Sequence, residues 1–216
     1  MSALGFALFD TAIGPCGIVW GGRGIAGLQL PEPSEAKART RLLRRFPGAA
    51  ETAPPPEIQH AIRLIVALLR GETADLSEIA LDLGRVPPFE RKVYEIARKI
   101  LPGATLTYGE IASRLGDKPL ARDVGQALGK NPFPIVVPCH RVVAAGGKAG
   151  GFSARGGVGT KLRMLAIEGA AANGQPGLFD RPIGVASRYI LRTDTPLEVE
   201  EPKTKAVTGS RQIQGS

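Results

Sequence analysis

With 216 residues, 43% of them hydrophobic, the chain is long enough for one large domain or two small ones. The four Cys and His residues, Cys16, His60, Cys139 and His140, exclude a disulfide framework and show no zinc spacing, so neither a metal nor another cofactor is expected. No apolar run reaches the ~18 residues of a membrane span and the N-terminus lacks the pattern of a signal peptide, so no membrane contact and a reducing, cytoplasmic setting are expected.

Taken in order, residues 4–30 alternate apolar runs (Leu4 to Phe9, Ile18 to Trp20, Ile25 to Leu30) with Gly and Pro, which predicts a three-stranded antiparallel meander. Glu32 to Phe46 has a helical pattern with many arginines. Residues 47–56 read as a loop, because Pro54-Pro55-Pro56 opposes helix. Glu57 to Arg70 carries Ile58, Ile62, Ile65 and Leu69 at helical spacing and stops at Gly71. Ala80 to Leu83 is a candidate short strand. Val86-Pro87-Pro88 reads as a linker, which divides the chain into 1–86 and 87–171.

Phe89 to Ile100 is the next expected helix. Thr107 caps Tyr108 to Leu115, with Glu110 three residues on as in a capping box. Pro119 then opens Leu120 to Gly129. Two short helices joined by a glycine-containing turn form either a generic hairpin or a helix-turn-helix. A glycine-rich loop, Gly146 to Gly159, leads into a last helix, Thr160 to Gly169. The 172–216 tail is expected to be disordered from its composition.

The charge is unevenly placed. Residues 1–88 carry nine basic and nine acidic side chains, whereas residues 89–171 carry thirteen and six. The excess of +7 therefore lies in the segment that holds Cys139. Such a surface suits a polyanion, although a solvated basic face would give the same count.

Within that segment stands Asn131-Pro132-Phe133-Pro134-Ile135-Val136-Val137-Pro138-Cys139-His140-Arg141-Val142-Val143. The β-branched run before Pro138 reads as a short buried strand whose end presents the Cys139 sulfur. An imidazole beside a thiol raises the reactive thiolate fraction. The residues alone leave two readings: a nucleophilic pair, or a buried structural cysteine beside a packing histidine.

The VPCHRVV motif and its preceding Asn-Pro pair resemble the active-site signature of the O6-alkylguanine-DNA alkyltransferases. The resemblance runs from about Pro88 to Gly169, with weaker agreement over the first thirty residues. It implies an α+β protein: a small N-terminal sheet domain like ribonuclease H, then a mostly helical domain with a helix-turn-helix. It implies an alkyl-transfer activity in which Cys139 takes a methyl or larger group from O6 of guanine in double-stranded DNA. The damaged base is flipped out from the minor groove, the protein acts as a monomer, and in a bacterium it is associated with the nucleoid.

The resemblance also assigns roles. His140 is the general base through a water and Glu168 orients it, an arrangement expected to lower the Cys139 pKa. Tyr108 donates to the guanine ring. Asn131 ties the active-site turn to the helix pair. Pro134 walls the alkyl group, and the Val142 carbonyl and Ser153 amide read the guanine edge. Arg122 fills the gap left by the base, while Ala121 and Gly125 allow close approach to DNA. Arg141 is expected to pair with the fold. Residues 151–160 appear about two residues longer than the family's loop before Lys161. A lesion-binding relative, a transcription regulator and a Cys-His hydrolase are the alternatives; the first lacks the cysteine, the second needs a sequence-specific site, and the third would turn over.

Overall fold

In the computed structural model, which describes residues 4–116 and 118–170, the expected meander forms. Strands β1 (Gly5–Phe9), β2 (Cys16–Gly21) and β3 (Gly24–Gln29) pair antiparallel in sequence order. Alternate side chains of β2 serve two faces. Cys16, Ile18 and Trp20 join the main core, while Val19 and Phe6 pack with Leu42 in a smaller one. Leu42 belongs to α1 (Glu35–Arg45), which Ser34 caps by accepting from the Lys37 N–H. A two-residue strand, β4 (Ala50–Glu51), adds parallel to β1 inside the stretch expected to be all loop.

Helix α2 (Pro56–Leu68) and helix α3 (Pro88–Arg98) both begin on a proline. Proline is tolerated there because a first-turn N–H has no intrahelical partner to lose. Ala80 to Leu83 does not form a strand. It makes one parallel bridge, Ile25 to Leu81, with the Ile25 N–H donating to Ala80 O at 2.9 Å and the Asp82 N–H to Ile25 O at 2.7 Å.

The second half holds β5 (Leu106–Thr107), α4 (Tyr108–Arg114), α5 (Ala121–Gly129), β6 (Val142–Val143) and α6 (Gly157–Ile167). The capping box is present: Glu110 N–H donates to Thr107 Oγ1 at 3.1 Å and Thr107 N–H to Glu110 Oε2 at 2.6 Å. Leu120 ends a 3-10 turn, Lys118–Leu120, instead of opening α5. α6 starts three residues before the expected Thr160, so Gly157 to Gly159 belong to the helix, with Gly156 at φ 81° forming its entry. β5 and β6 pair parallel, Leu106 against Val142 and Thr107 against Val143, so α4 starts where the strand after the Cys139 turn ends.

One main core crosses the Val86–Pro88 junction. It contains Ile18 and Leu28 of the sheet, Ile65 of α2, Val93 and Tyr94 of α3, Val124 of α5 and Met164 of α6. Buried Tyr94 donates its hydroxyl to Ala127 O at 3.0 Å, joining α3 to α5. Leu28 N–H donates to Pro132 O at 2.8 Å, so the sheet edge directly holds the loop that leads to Cys139. No helix among the described residues is long and apolar enough to cross a membrane. The tail expected from residue 172 lies outside the described residues.

Candidate active site

The loop before Cys139 is a tight turn and not the expected strand. Ile135 adopts φ 78°, a conformation a β-branched side chain rarely takes, and is 1% exposed. The turn closes through Val137 N–H to Phe133 O at 2.8 Å. Burial of Ile135, Val136 and Val137 holds a bend that their β-branching alone would oppose. Asn131 staples the same loop: its Nδ2 donates to Val137 O at 2.8 Å and its Oδ1 accepts the Phe133 N–H at 2.9 Å. Its side chain therefore closes the turn on itself. The tie to α5 is made by backbone, Asn131 N–H to Leu128 O at 3.3 Å.

Cys139, His140 and Arg141 form one 3-10 turn, so the cysteine and histidine do not alternate across an extended strand. His140 is fully buried, and its Nε2 lies 2.9 Å from Glu168 Oε1. Arg141 grips the same carboxylate twice, Nε to Oε2 at 2.8 Å and Nη2 to Oε1 at 2.9 Å, and donates Nη1 to Ile100 O at 2.5 Å. Burial alone would raise the Glu168 pKa, but hydrogen bonds from His140 and Arg141 outweigh it and hold the carboxyl at about 2. Desolvation pushes the His140 pKa down despite the Glu168 carboxylate. A neutral imidazole facing an ionised carboxylate carries its proton on Nε2. Nδ1 is then a bare acceptor, and it is buried with no protein partner among the described residues.

Loss of solvation raises the Cys139 pKa, opposed by a hydrogen bond from the Asn131 side chain and by the charge of Lys161. The expected lowering is therefore corrected. The resting state is a thiol beside a neutral histidine, because both charged forms are poorly solvated there. Lys161 is wholly buried in α6, donates Nζ to Val142 O at 2.5 Å and lies 5.8 Å from the Tyr108 ring centroid. Burial lowers its pKa to about 8. Burial likewise raises the Tyr108 pKa, so its hydroxyl stays protonated at neutral pH.

Two cavities meet at Cys139. The larger, about 540 Å³, is lined by Tyr108, Ala121, Arg122, Gly125, Phe152 and Ser153, with α5 along one wall. The smaller, about 80 Å³, is lined by Asn131, Pro134 and Ser153 together with residues of β3 and α1. The structure thus brings together Cys139, Tyr108, Pro134, Ser153, Ala121, Arg122 and Gly125 around open space. His140 and Glu168 lie behind the cysteine, and the Val142 side chain is buried, its carbonyl occupied by Lys161.

Three contributions escaped sequence reasoning. Lys161 served there as a landmark alone, yet Lys161, Met164, Leu165 and Glu168 share the buried face of α6 at helical spacing, and a lysine on that stripe is the available signal. Phe152 lines both cavities. Arg41 and Arg45, from α1, reach the smaller one; their distance in sequence from Cys139 left no local signal.

A half-buried thiol opening on a cavity under a helix, with a neutral histidine held by a carboxylate in the same turn, fits a protein that moves a group onto its own cysteine. Residues 88–170 match the family described as 6-O-methylguanine DNA methyltransferase, DNA binding domain. The chain is 36% identical to the methylated-DNA–protein-cysteine methyltransferase of Methanothermobacter thermautotrophicus, over 74% of this chain and 82% of the relative. Against the Mycobacterium bovis protein of that name it is 33% identical, over 81% and 98% respectively. Among solved structures, Mycobacterium tuberculosis OGT in complex with DNA superposes with a TM-score of 0.63 at 32% identity, covering 78% of this chain and 96% of that one. The chain belongs to the methylated-DNA–protein-cysteine methyltransferase family.

Proposed function

We propose that this protein repairs O6-alkylguanine, mainly O6-methylguanine, in double-stranded DNA by moving the alkyl group irreversibly to Cys139. The observation that carries this reading is the position of Cys139 where both cavities meet, with the unpartnered Nδ1 of neutral His140 beside it in the same turn. His140 Nδ1 takes the thiol proton, through a water where the two do not touch. The Glu168 carboxylate stabilises the imidazolium that forms. The sulfur then bonds the alkyl carbon, the O6–carbon bond breaks, and its electron pair passes to guanine. Tyr108, protonated at the cavity wall, donates to the guanine ring and stabilises that leaving anion. Lys161 supplies positive charge that favours the thiolate. The thioether does not hydrolyse, so one protein repairs one lesion.

On the same reading, residues 1–86 form a ribonuclease-H-like domain and residues 87–171 the DNA-binding and acceptor domain. α4 and α5 act as a helix-turn-helix that enters the minor groove. Ala121 and Gly125 permit close approach, and Arg122, exposed at the start of α5, fills the place of the flipped base. Pro134 and Ser153 bound the alkylated base, and Val142 offers its carbonyl. The protein works as a monomer in the cytoplasm.

Incubation with a duplex carrying O6-methylguanine should add one methyl group to the intact mass, located on Cys139, and Cys139→Ser should gain none while still binding the lesion. Methylation found elsewhere would reject Cys139. Arg122→Ala should slow transfer from duplex far more than from free O6-methylguanine base. An equal loss on both would remove Arg122 from base flipping.

A further inference from the structure

We propose that the smaller cavity beside Cys139 is a subsite for O6 substituents that end in an anion, with Arg45 of α1 as its specificity-determining residue. This rests on the reading of Cys139 as alkyl acceptor. The guanine ring has room in the larger cavity; as the sulfur meets the first carbon in line with O6, the rest of the substituent lies to the side of that axis, next to Cys139. The space there is the smaller cavity, walled by Pro134. Its volume of about 80 Å³ exceeds what a methyl group needs and suits a substituent of a few heavy atoms.

The far wall is cationic. Arg41 and Arg45 of α1 line it, with Arg155 from the loop after Ser153 also on the cavity, against one acid, Glu32. Glu32 is committed to Arg41, Nη1 to Oε1 at 2.6 Å. Arg45 has no carboxylate partner among the described residues: it reaches the Leu28 carbonyl at 3.3 Å and stacks on the Phe46 ring at 5.2 Å. Arg45 is exposed at the cavity rim, where its guanidinium keeps its charge and can turn to an anion held in the cavity. The chemistry needs such a charge. A thiolate approaching a carbon that bears a carboxylate is repelled, and a facing guanidinium offsets that repulsion. In the step, Cys139 Sγ bonds the methylene carbon, the O6–carbon bond breaks with its electron pair going to guanine, and the thiol proton goes to His140. The carboxylate is unchanged, and the product is S-carboxymethylcysteine. One feature pulls the other way. Gln29 Oε1, buried on the same lining without a partner, would favour an amide.

The test compares single-turnover transfer from three duplexes carrying O6-methyl-, O6-carboxymethyl- and O6-carbamoylmethylguanine. Wild type should prefer carboxymethyl over its neutral carbamoyl isostere, with the carboxymethyl group recovered on Cys139. Arg45→Gln should cut that preference about tenfold, the loss of one charge-assisted contact, and leave methyl transfer within about twofold. Arg41→Gln should act in the same direction and less strongly, since Arg41 is already paired. A preference unmoved in both variants overturns the proposal. So does an equal slowing on all three substrates, which would make Arg45 a phosphate contact, or a wild-type preference for the carbamoyl group. Failure of wild type on the methyl duplex would instead overturn Cys139 as acceptor.

Discussion

At the scale of single residues, the site runs on environments that oppose charge at rest. Desolvation keeps Cys139 a thiol and His140 neutral, while the Glu168 carboxylate is held ionised between His140 and Arg141. Cys16 makes the contrast: its thiol is pushed up to about 12 by burial, and it lies closed in the main core, so it is inert. The pH profile of transfer follows. The base form of His140 is lost as pH falls through its folded pKa, which burial places below 6.5. The acid limb of the single-turnover rate should therefore centre below 6.5. Lys161 is a cation below about 8 and neutral above, so its help to the thiolate fades as pH rises through about 8. Lys161→Met should lower the plateau roughly tenfold, one pKa unit of thiol ionisation, and erase any feature near 8. An acid limb at or above 6.5 would show that the imidazole is not a neutral base.

At the scale of elements, legibility followed periodicity. The meander, α2, α3 and the Thr107 capping box were readable because each has a local pattern with one physical solution. Ile135 to Val137 read as a strand because β-branching favours extension, yet the turn is stabilised by burial and by Asn131, neither visible locally. β4, β5 and β6 are two residues long each, too short for any periodic signal. The last helix absorbed glycines that composition assigned to a loop. The CHR motif and Glu168 were legible through family likeness alone, since their meeting spans 28 residues. Gly150 shows how loop and helix set each other. It sits at φ 70°, and a Cβ there would come within 3.2 Å of Tyr108 Cε2 and 3.3 Å of its hydroxyl. Gly150→Ala should cost roughly 1–2 kcal/mol in backbone strain, seen as a lower melting temperature, and should slow transfer by displacing Tyr108. Unchanged melting and transfer would mean that the Gly150 loop does not set the position of Tyr108.

At the scale of the whole molecule, the Glu168 carboxylate is also a joint of the fold. Glu168 closes α6, Arg141 follows the active-site turn, and Arg141 in turn reaches Ile100 just beyond α3. A single buried ion pair with a histidine attached thus links three parts of the acceptor half. Removing one partner strands a buried guanidinium, so Glu168→Gln should destabilise the protein by on the order of 3 kcal/mol at neutral pH. The pH dependence separates this from ordinary packing loss. The folded carboxyl is held at about 2 against an ordinary value of 4.5. A depressed carboxyl stabilises the fold fully above 4.5, and that stability is lost as pH falls from 4.5 towards 2. The amount at stake is on the order of 3 kcal/mol by linkage. His140 acts in the same direction at higher pH. Its folded pKa is below 6.5, so the unfolded chain takes up that proton first and stability falls as pH drops through that window. Urea unfolding of wild type and Glu168→Gln at pH 7 and pH 3 reads both effects. The gap between them should be wide at pH 7 and narrow at pH 3, where wild type has given up most of what the carboxylate contributes. A gap of equal width at both values would mean that Glu168 stabilises through shape alone, and that the charge on it is not what holds Arg141 and His140 in place.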